Sequence, residues 1–323
     1  MANRPSEFAL IAQLFAPLAE APGAFALTDD VALVPARAGH DLVVTTDALV
    51  EGVHFLADDP PVSIAKKALR VNLSDLAAKG AEPAGYLLAL SLPARIDMAW
   101  LEGFACGLGE DQKAFAVPLL GGDTTASPGP LTLTITAMGY VPAGAMIRRA
   151  GAKAGDGVYV SGTIGDAGGG LALLTGEGAH IGGGEAGLIE RYRLPSPRLA
   201  LGLALRGVAG AALDVSDGLI ADLSHVADVS RVRIVVEAGR IPRSPALRAL
   251  WGDAPEAIVR AATAGDDYEI AFTASSEDKV IEAAERAGVP VTRIGRVEEG
   301  SGVALLGSDG REITVSRAGF THF

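Results

Sequence analysis

The stretch AALDVSDGLIADLSHVADVS, Ala211 to Ser230, contains a strand, a turn and a helix in succession. Ala212 to Val215 is a short apolar run suited to a buried strand, and Ser216-Asp217-Gly218 supplies turn chemistry. Leu219 to Ser230 then places apolar residues at helical spacing. Working outward, the same alternation continues on both sides. A strand at Val158 to Val160 leads to a helix after Gly168, and a Gly-rich loop at Gly176 to Gly187 precedes a helix from Pro197 to Leu205. Strands at Arg233 to Val236 and Glu269 to Thr273 and a helix at Ser276 to Ala287 follow. This pattern predicts an α/β layer.

The first half repeats the theme. Ser6 is placed to cap a helix through about Leu18, with Phe8, Ile11, Leu14, Phe15 and Leu18 on its core face. Strand Asp41 to Thr46, helix Val62 to Lys79, strand Ala84 to Leu92, helix Met98 to Phe115 and strands Val117 to Leu120 and Leu131 to Tyr140 complete it. Between Val141 and Gly157, Pro142, several glycines and Arg148-Arg149 interrupt the periodicity. The expected domains are therefore 1–145 and 146–323, a division that 323 residues readily support.

Composition narrows the function. The net charge is −12 and no basic cluster exceeds the pairs Lys66-Lys67 and Arg148-Arg149, which argues against a nucleic-acid partner. The single Cys106 cannot form an internal disulfide. MANRPSEFAL has no secretory pattern, and the longest uncharged stretch, Thr124 to Ile147, is broken by Ser127-Pro128-Gly129-Pro130. The expectation is a cytoplasmic protein without a membrane span.

The chemistry lies in five aspartate clusters, which this reading puts at strand ends: Thr28-Asp29-Asp30, Thr45-Thr46-Asp47, Asn72-Leu73-Ser74-Asp75, Gly121-Gly122-Asp123-Thr124-Thr125 and Asp214-Val215-Ser216-Asp217-Gly218. Carboxylates mixed with hydroxyls form the hard-oxygen donor set that Mg²⁺ requires, with substrate phosphates completing its shell. Each cluster also fits a helix cap or turn, and Asp75 fits the polar face of a helix. There is no Gly-Lys dipeptide and hence no P-loop. Gly182 to Gly187 matches Gly-x-Gly-x-x-Gly but follows no strand, so it reads as a loop. Ser161 to Gly170, between a strand and an apolar helix, is the better candidate for backbone N–H groups facing a phosphate.

Taken together the clusters resemble the thiamine-monophosphate kinase family. Val43 to Phe55, with Asp47-Ala48-Leu49-Val50-Glu51-Gly52-Val53-His54-Phe55 at its centre, is similar to the family signature, and Val71 to Ala81 to its next block. Leu120 to Thr125, Arg149 to Lys153, Asp214 to Leu219, Gly265 to Glu269 and Gly319 to Phe323 follow in the family's order. Ser-Asp-Gly and Gly-Gly-Asp are shared with the wider aminoimidazole-ribonucleotide-synthetase-like superfamily.

The resemblance implies a two-domain α/β (α+β) fold whose amino-terminal sheets pair across a homodimer. The active site would lie between the domains, using ATP and several Mg²⁺ ions to phosphorylate thiamine monophosphate. Asp30, Thr45, Thr46, Asp47, Asp75, Asp123, Asp214 and Asp217 would ligate metal, with Asp47, Asp75 and Asp217 central to catalysis. Gly122, Asp123, Arg149 and Ser216 would meet ATP, and His54, Glu269 and Phe320 the thiamine phosphate. Thr28 stands where the family usually has glycine, and no nucleotide contact carries over to the helix holding Cys106. Two other readings stay open: another ATP-using member of the superfamily, and a non-catalytic binder of Mg²⁺ and nucleotide.

Overall fold

The computed structural model describes residues 5–178 and 180–321. His322 and Phe323 of the carboxyl-terminal motif lie outside the described residues. The chain divides into two compact units, Met1–Leu76 with Ala81–Gly144, and Ala77–Gly80 with Ala145–Phe323.

In unit 1 the helix expected from Ser6 to Leu18 is broken. Only α1, Glu7–Leu10, is α-helical, a π turn (Ile11–Phe15) and a 3₁₀ turn (Ala16–Leu18) follow, and Ser6 makes no side-chain cap. Pro17 denies the last turn its backbone donor. Phe8, expected on the core face, is 80% exposed. Strand β1 (His40–Val50), helix α2 (Pro61–Ala78), β2 (Glu82–Leu92), α3 (Met98–Phe115), β3 (Leu119–Ala126) and β4 (Thr132–Pro142) form the rest. The sheet order is β1-β4-β2-β3, with β2 and β3 parallel and the other pairs antiparallel. Asp97 starts α3 by accepting the Trp100 N–H at 2.9 Å, and Ala116 ends it in the left-handed region.

One face of this sheet is apolar and packs on the helices. Leu49, Leu88, Leu90, Leu133 and Ile135 are buried with Leu69, Leu73 and Leu76 of α2 and Leu101, Phe104 and Leu108 of α3. Arg70 locks α2 to α3 through a bidentate pair with Asp111, at 2.6 and 2.8 Å.

Unit 2 carries a six-stranded sheet, order β10-β7-β9-β5-β8-β6. Its elements are β5 (Gly157–Ser161), α4 (Asp166–Leu174), α5 (Glu185–Arg193), α6 (Leu199–Ala204), β6 (Ala211–Asp214), α7 (Leu219–Ser230), β7 (Arg233–Glu237), α8 (Pro245–Trp251), α9 (Pro255–Thr263), β8 (Ile270–Ala274), α10 (Glu277–Ala287), β9 (Val291–Glu298) and β10 (Gly302–Leu306). Period-two alternation sends Val158, Val160, Leu213 and Ala271 into a core with Leu219, Leu223 and Val226 of α7. Their neighbours Tyr159, Ala212, Ile270 and Phe272 enter a second core with Leu201, Leu205 and Val280. Buried on both sides, the sheet fixes the ends of β6 and β8 from which the site loops spring.

Candidate functional site

In unit 1 the candidate residues fall on opposite faces of one sheet. Residues paired across the sheet present their side chains to the same side. Asp47 pairs with Ile135, which pairs with Leu88, so Asp47 and its i−2 neighbour Thr45 lie on the helix-covered face. Ala48, Thr134, Ala89 and Asp123 form the next row and project the other way, as does Thr46. Asp47 and Asp123 therefore stand inside strands, not at strand ends as the spacing suggested.

On the helix-covered face the Thr45 hydroxyl donates to Asp75 Oδ2 at 2.5 Å. Asp47 is mostly buried and accepts no hydrogen bond among the described residues. Burial first, and the charge of Asp75 second, push its carboxyl group up to about 6. Two close carboxylates without a paired cation, beside a hydroxyl, suit a small divalent ion, so the residues present fit Mg²⁺.

On the opposite face, the chain from Phe8 to Ala32 and strands β2 to β4 enclose a cavity of about 710 Å³. Phe8, Ile11 and Phe15 give it an apolar wall, and Asp29, Asp30, Gly122, Asp123, Thr134 and Thr136 a polar one. The Thr46 hydroxyl is shared with Thr136 Oγ1 at 3.0 Å and the Ile135 carbonyl at 3.1 Å. Gly122, at φ +158°, is in near-extended backbone, yet a Cβ there would lie 1.8 Å from the Leu88 carbonyl oxygen. Only glycine permits that approach.

His54 sits in the turn after β1. Its Nδ1 accepts the Val50 N–H at 3.0 Å, which places the proton of the neutral ring on Nε2. The buried Phe55 anchors this turn, its carbonyl accepting the Gly52 N–H at 2.8 Å.

In unit 2 three loops are tied together around Asp217. Asp222 Oδ2 accepts the N–H groups of Ser216, Asp217 and Gly218 at 3.0, 3.1 and 3.1 Å. The Asp266 N–H donates to the Ser216 carbonyl at 2.8 Å, and the Phe320 N–H to the Asp217 carbonyl at 2.9 Å. Phe320, 42% exposed as a residue, is thus brought beside Asp217. The Ser216 hydroxyl and Asp217 carboxylate accept or donate no hydrogen bond among the described residues. Asp217, Asp222 and His225 offer ligand atoms within 4.8 Å of one another. Burial, followed by the charge of Asp217, raises the Asp222 carboxyl to about 7. Asp214 is buried at the end of β6, and Arg149 is exposed.

Two sequence expectations change here. The N–H groups of the Ser161 to Gly170 segment do not wait for a phosphate, since Asp267 accepts those of Gly165 at 2.6 Å and Ala167 at 3.3 Å. Pro290 and Pro242 carbonyls take those of Gly162 and Ile164. Glu269, expected against the substrate, has no open face. Its carboxylate is fully buried and accepts from Ser161 Oγ (2.6 Å), Arg191 (2.7 Å) and Arg198 (2.5 and 2.7 Å). Asp222, Asp267, Arg191 and Arg198 were not singled out from the sequence. For Asp222 the available signal was its place one turn into α7, within reach of the preceding loop.

The four-stranded and six-stranded sheets fall almost entirely within the two regions that match models of the AIR synthase related proteins. The family model for their N-terminal domain matches residues 28–141, and that for their C-terminal domain residues 153–307. Within that class, a thiamine-monophosphate kinase of Caulobacter vibrioides is 46% identical over 98% of this chain and 91% of its own length. The crystal structure of thiamine-monophosphate kinase from Stenotrophomonas maltophilia superposes with a TM-score of 0.84 at 44% identity, covering 95% of this chain and 98% of that one. A structure of AaThiL complexed with AMPPCP and TMP gives 0.78 at 34%, covering 98% and 97%. The chain belongs to the thiamine-monophosphate kinase family, and it is accordingly an enzyme of the phosphotransferase class. No described helix is long and apolar enough to cross a membrane.

Proposed function

We propose that this protein transfers the γ-phosphoryl group of ATP to the phosphate of thiamine monophosphate, giving thiamine diphosphate by direct in-line transfer. The observation that carries this reading is a pair of carboxylates without hydrogen-bond donors among the described residues: Asp47, which faces Asp75, in unit 1, and Asp217, next to Ser216, in unit 2. Such groups fit Mg²⁺, and Asp30, Thr45, Thr46, Asp47, Asp75, Asp123, Asp214 and Asp217 are the residues that would hold it. When bound, the ions offset repulsion between two polyanions and support charge on the phosphoryl group in flight.

The chain's own residues do the rest. Arg149, exposed and unpaired among the described residues, and the donor-free Ser216 hydroxyl are available to ATP, with Gly122 letting backbone approach closely. His54 offers an Nε2 proton to the substrate, and the exposed Phe320 suits a cationic thiazolium. Glu269 acts through Arg191 and Arg198, which it holds in place. The acceptor phosphate is largely ionised at neutral pH, so no strong general base is required. We place the enzyme in the cytoplasm as a homodimer. Leu42 and Val44, 46% and 56% exposed on β1, supply an apolar strip for the sheet pairing. Light scattering that returns a monomer mass at micromolar concentration contradicts the dimer.

Incubation with ATP, Mg²⁺ and thiamine monophosphate, followed by chromatography for thiamine diphosphate, tests the activity. Free thiamine serves as the control, because its primary alcohol would need a base that this set lacks. Comparable turnover of free thiamine rules out the proposed acceptor.

A further inference from the structure

We infer that Asp222 is a positioning residue for Asp217, one that shapes the metal-binding turn without itself reaching the substrate. This rests on the phosphotransferase reading above.

The turn Ser216-Asp217-Gly218 has three successive N–H groups converging on one point, the kind of concavity that binds an anion. Here the anion is internal, since all three N–H groups meet the same oxygen, Asp222 Oδ2, at 3.0 to 3.1 Å. Its carbonyls are held separately, Ser216 by the Asp266 N–H at 2.8 Å and Asp217 by the Phe320 N–H at 2.9 Å. Close packing seals the arrangement. Gly218 adopts φ +126°, and a Cβ on Gly265 would come within 2.5 Å of the Ser216 carbonyl oxygen. With N–H groups and carbonyls engaged, the Ser216 hydroxyl and the Asp217 carboxylate are the polar groups of the turn that make no hydrogen bond among the described residues.

The substitution of Asp222 has a specific consequence. Without its oxygen, three N–H groups on a half-buried turn lack an acceptor, and the turn must rotate them toward water. Asp217 moves with them. Neither the sheet nor α7 depends on those three bonds, because α7 has its own i to i−4 ladder beginning with the Asp222 N–H to the Gly218 carbonyl at 2.9 Å. Lost positioning thus separates from lost folding.

The test uses the full-length protein and Mn²⁺ as the probe, read by electron paramagnetic resonance, with amide hydrogen exchange at residues 216–218 as a second readout. Asp222→Ala is expected to expose those three amides and to raise the Mn²⁺ dissociation constant by about tenfold, with a comparable loss of kcat. Asp222→Asn, which keeps an acceptor oxygen in place, is expected to retain protection and affinity within about threefold, less than a barrier change of ~1 kcal/mol. Asp222→Glu, which keeps the charge but carries the oxygen one methylene too far, is expected to behave like the alanine variant and serves in its place if that variant does not fold. The inference is overturned if Asp222→Ala or Asp222→Glu binds Mn²⁺ as the parent does, if Asn loses what Glu retains, or if the parent shows no protection at these amides. Because Mn²⁺ binding and exchange need no thiamine phosphate, a failure of the proposed substrate leaves this test readable.

Discussion

Asp47 in unit 1, partly buried, and Asp267 in unit 2, fully buried, are both aspartates whose carboxyl groups burial holds above the usual range. They differ in who donates to them. Asp267 receives two backbone N–H groups and ends as part of the scaffold, closing the start of α4. Asp47 receives none and faces Asp75 instead. The same division separates Asp217 from Asp222 a few residues away. A carboxylate saturated by its own chain stabilises a loop, whereas one left without donors in a half-closed site is available to a cation. Residue type does not sort these aspartates; the donors around them do.

The sharpest way to break this comparison is Asp217→Asn. Asparagine preserves shape, so a scaffold role predicts little change. A carboxylate that serves a cation should instead cost kcat more than about a hundredfold when lost, ~3 kcal/mol in the barrier. Circular dichroism and thermal melts should match the parent, and activity within about threefold would move Asp217 to the scaffold group. Asp267→Ala should behave in the opposite way. Two buried N–H groups lose their acceptor, at about 1–3 kcal/mol each, so urea denaturation should report a loss of about 2–4 kcal/mol. The kcat of the folded fraction should stay within about tenfold of the parent. A stable but inactive Asp267→Ala protein would erase the distinction.

The next effect depends on pH. Asp47 titrates near 6 in the folded protein against a usual 3.8, so between those values the native state holds a proton that the unfolded chain has released. Stability then falls as pH rises through this window, by an amount on the order of 3 kcal/mol once the group is fully ionised. Asp222, raised to about 7, adds to the same trend. The metal-free protein should therefore melt at lower temperature at pH 7.5 than at pH 5, and Asp47→Asn should flatten part of that slope. Mg²⁺ should restore stability at the higher pH, since a cation favours the ionised form. A metal-free melting temperature that rises across this range would contradict the assignment.

Much of the fold was legible because local signals agreed with tertiary demands. The spacing expectation for α3, Met98 to Phe115, matches the structure at both ends, where Asp97 caps one terminus and left-handed Ala116 the other. Helix α7 likewise ends in a left-handed residue, Arg231. The N-terminal helix failed although Leu10 and Phe15 do reach buried positions, because Pro17 interrupts its last turn; β9 and β10 were not expected from the sequence. The strand at Val291–Glu298 carries Arg293 and Arg296 on exposed positions, which masks its alternation. At the site, the family motifs located the aspartates but not their partners. Backbone N–H groups have no residue identity, so the saturation of Asp222 and Asp267 becomes visible only in three dimensions. Nor do motifs reveal that consecutive residues of β1 face opposite ways.

That last point yields the finest test, within a single dipeptide. Thr45 and Thr46 are adjacent and chemically identical, yet Thr45 donates to Asp75 on the helix-covered face while Thr46 bonds to Thr136 and the Ile135 carbonyl on the cavity face. Replacing either by valine removes one hydroxyl of similar size, worth about 1 kcal/mol where it is bonded. Single effects of that size do not separate the two faces, but their coupling to Asp47 does. If Thr45 and Asp47 serve one cation, removing Thr45 in an Asp47→Asn background should cost little further Mn²⁺ affinity, giving a coupling of at least about 0.5 kcal/mol. Thr46→Val, acting on the opposite face, should add to Asp47→Asn within about 0.3–0.5 kcal/mol. The four affinities of each cycle can be measured by titration calorimetry with Mn²⁺. Equal coupling for both threonines would mean that the strand does not divide the carboxylates into two groups, and that one cluster spans the sheet edge.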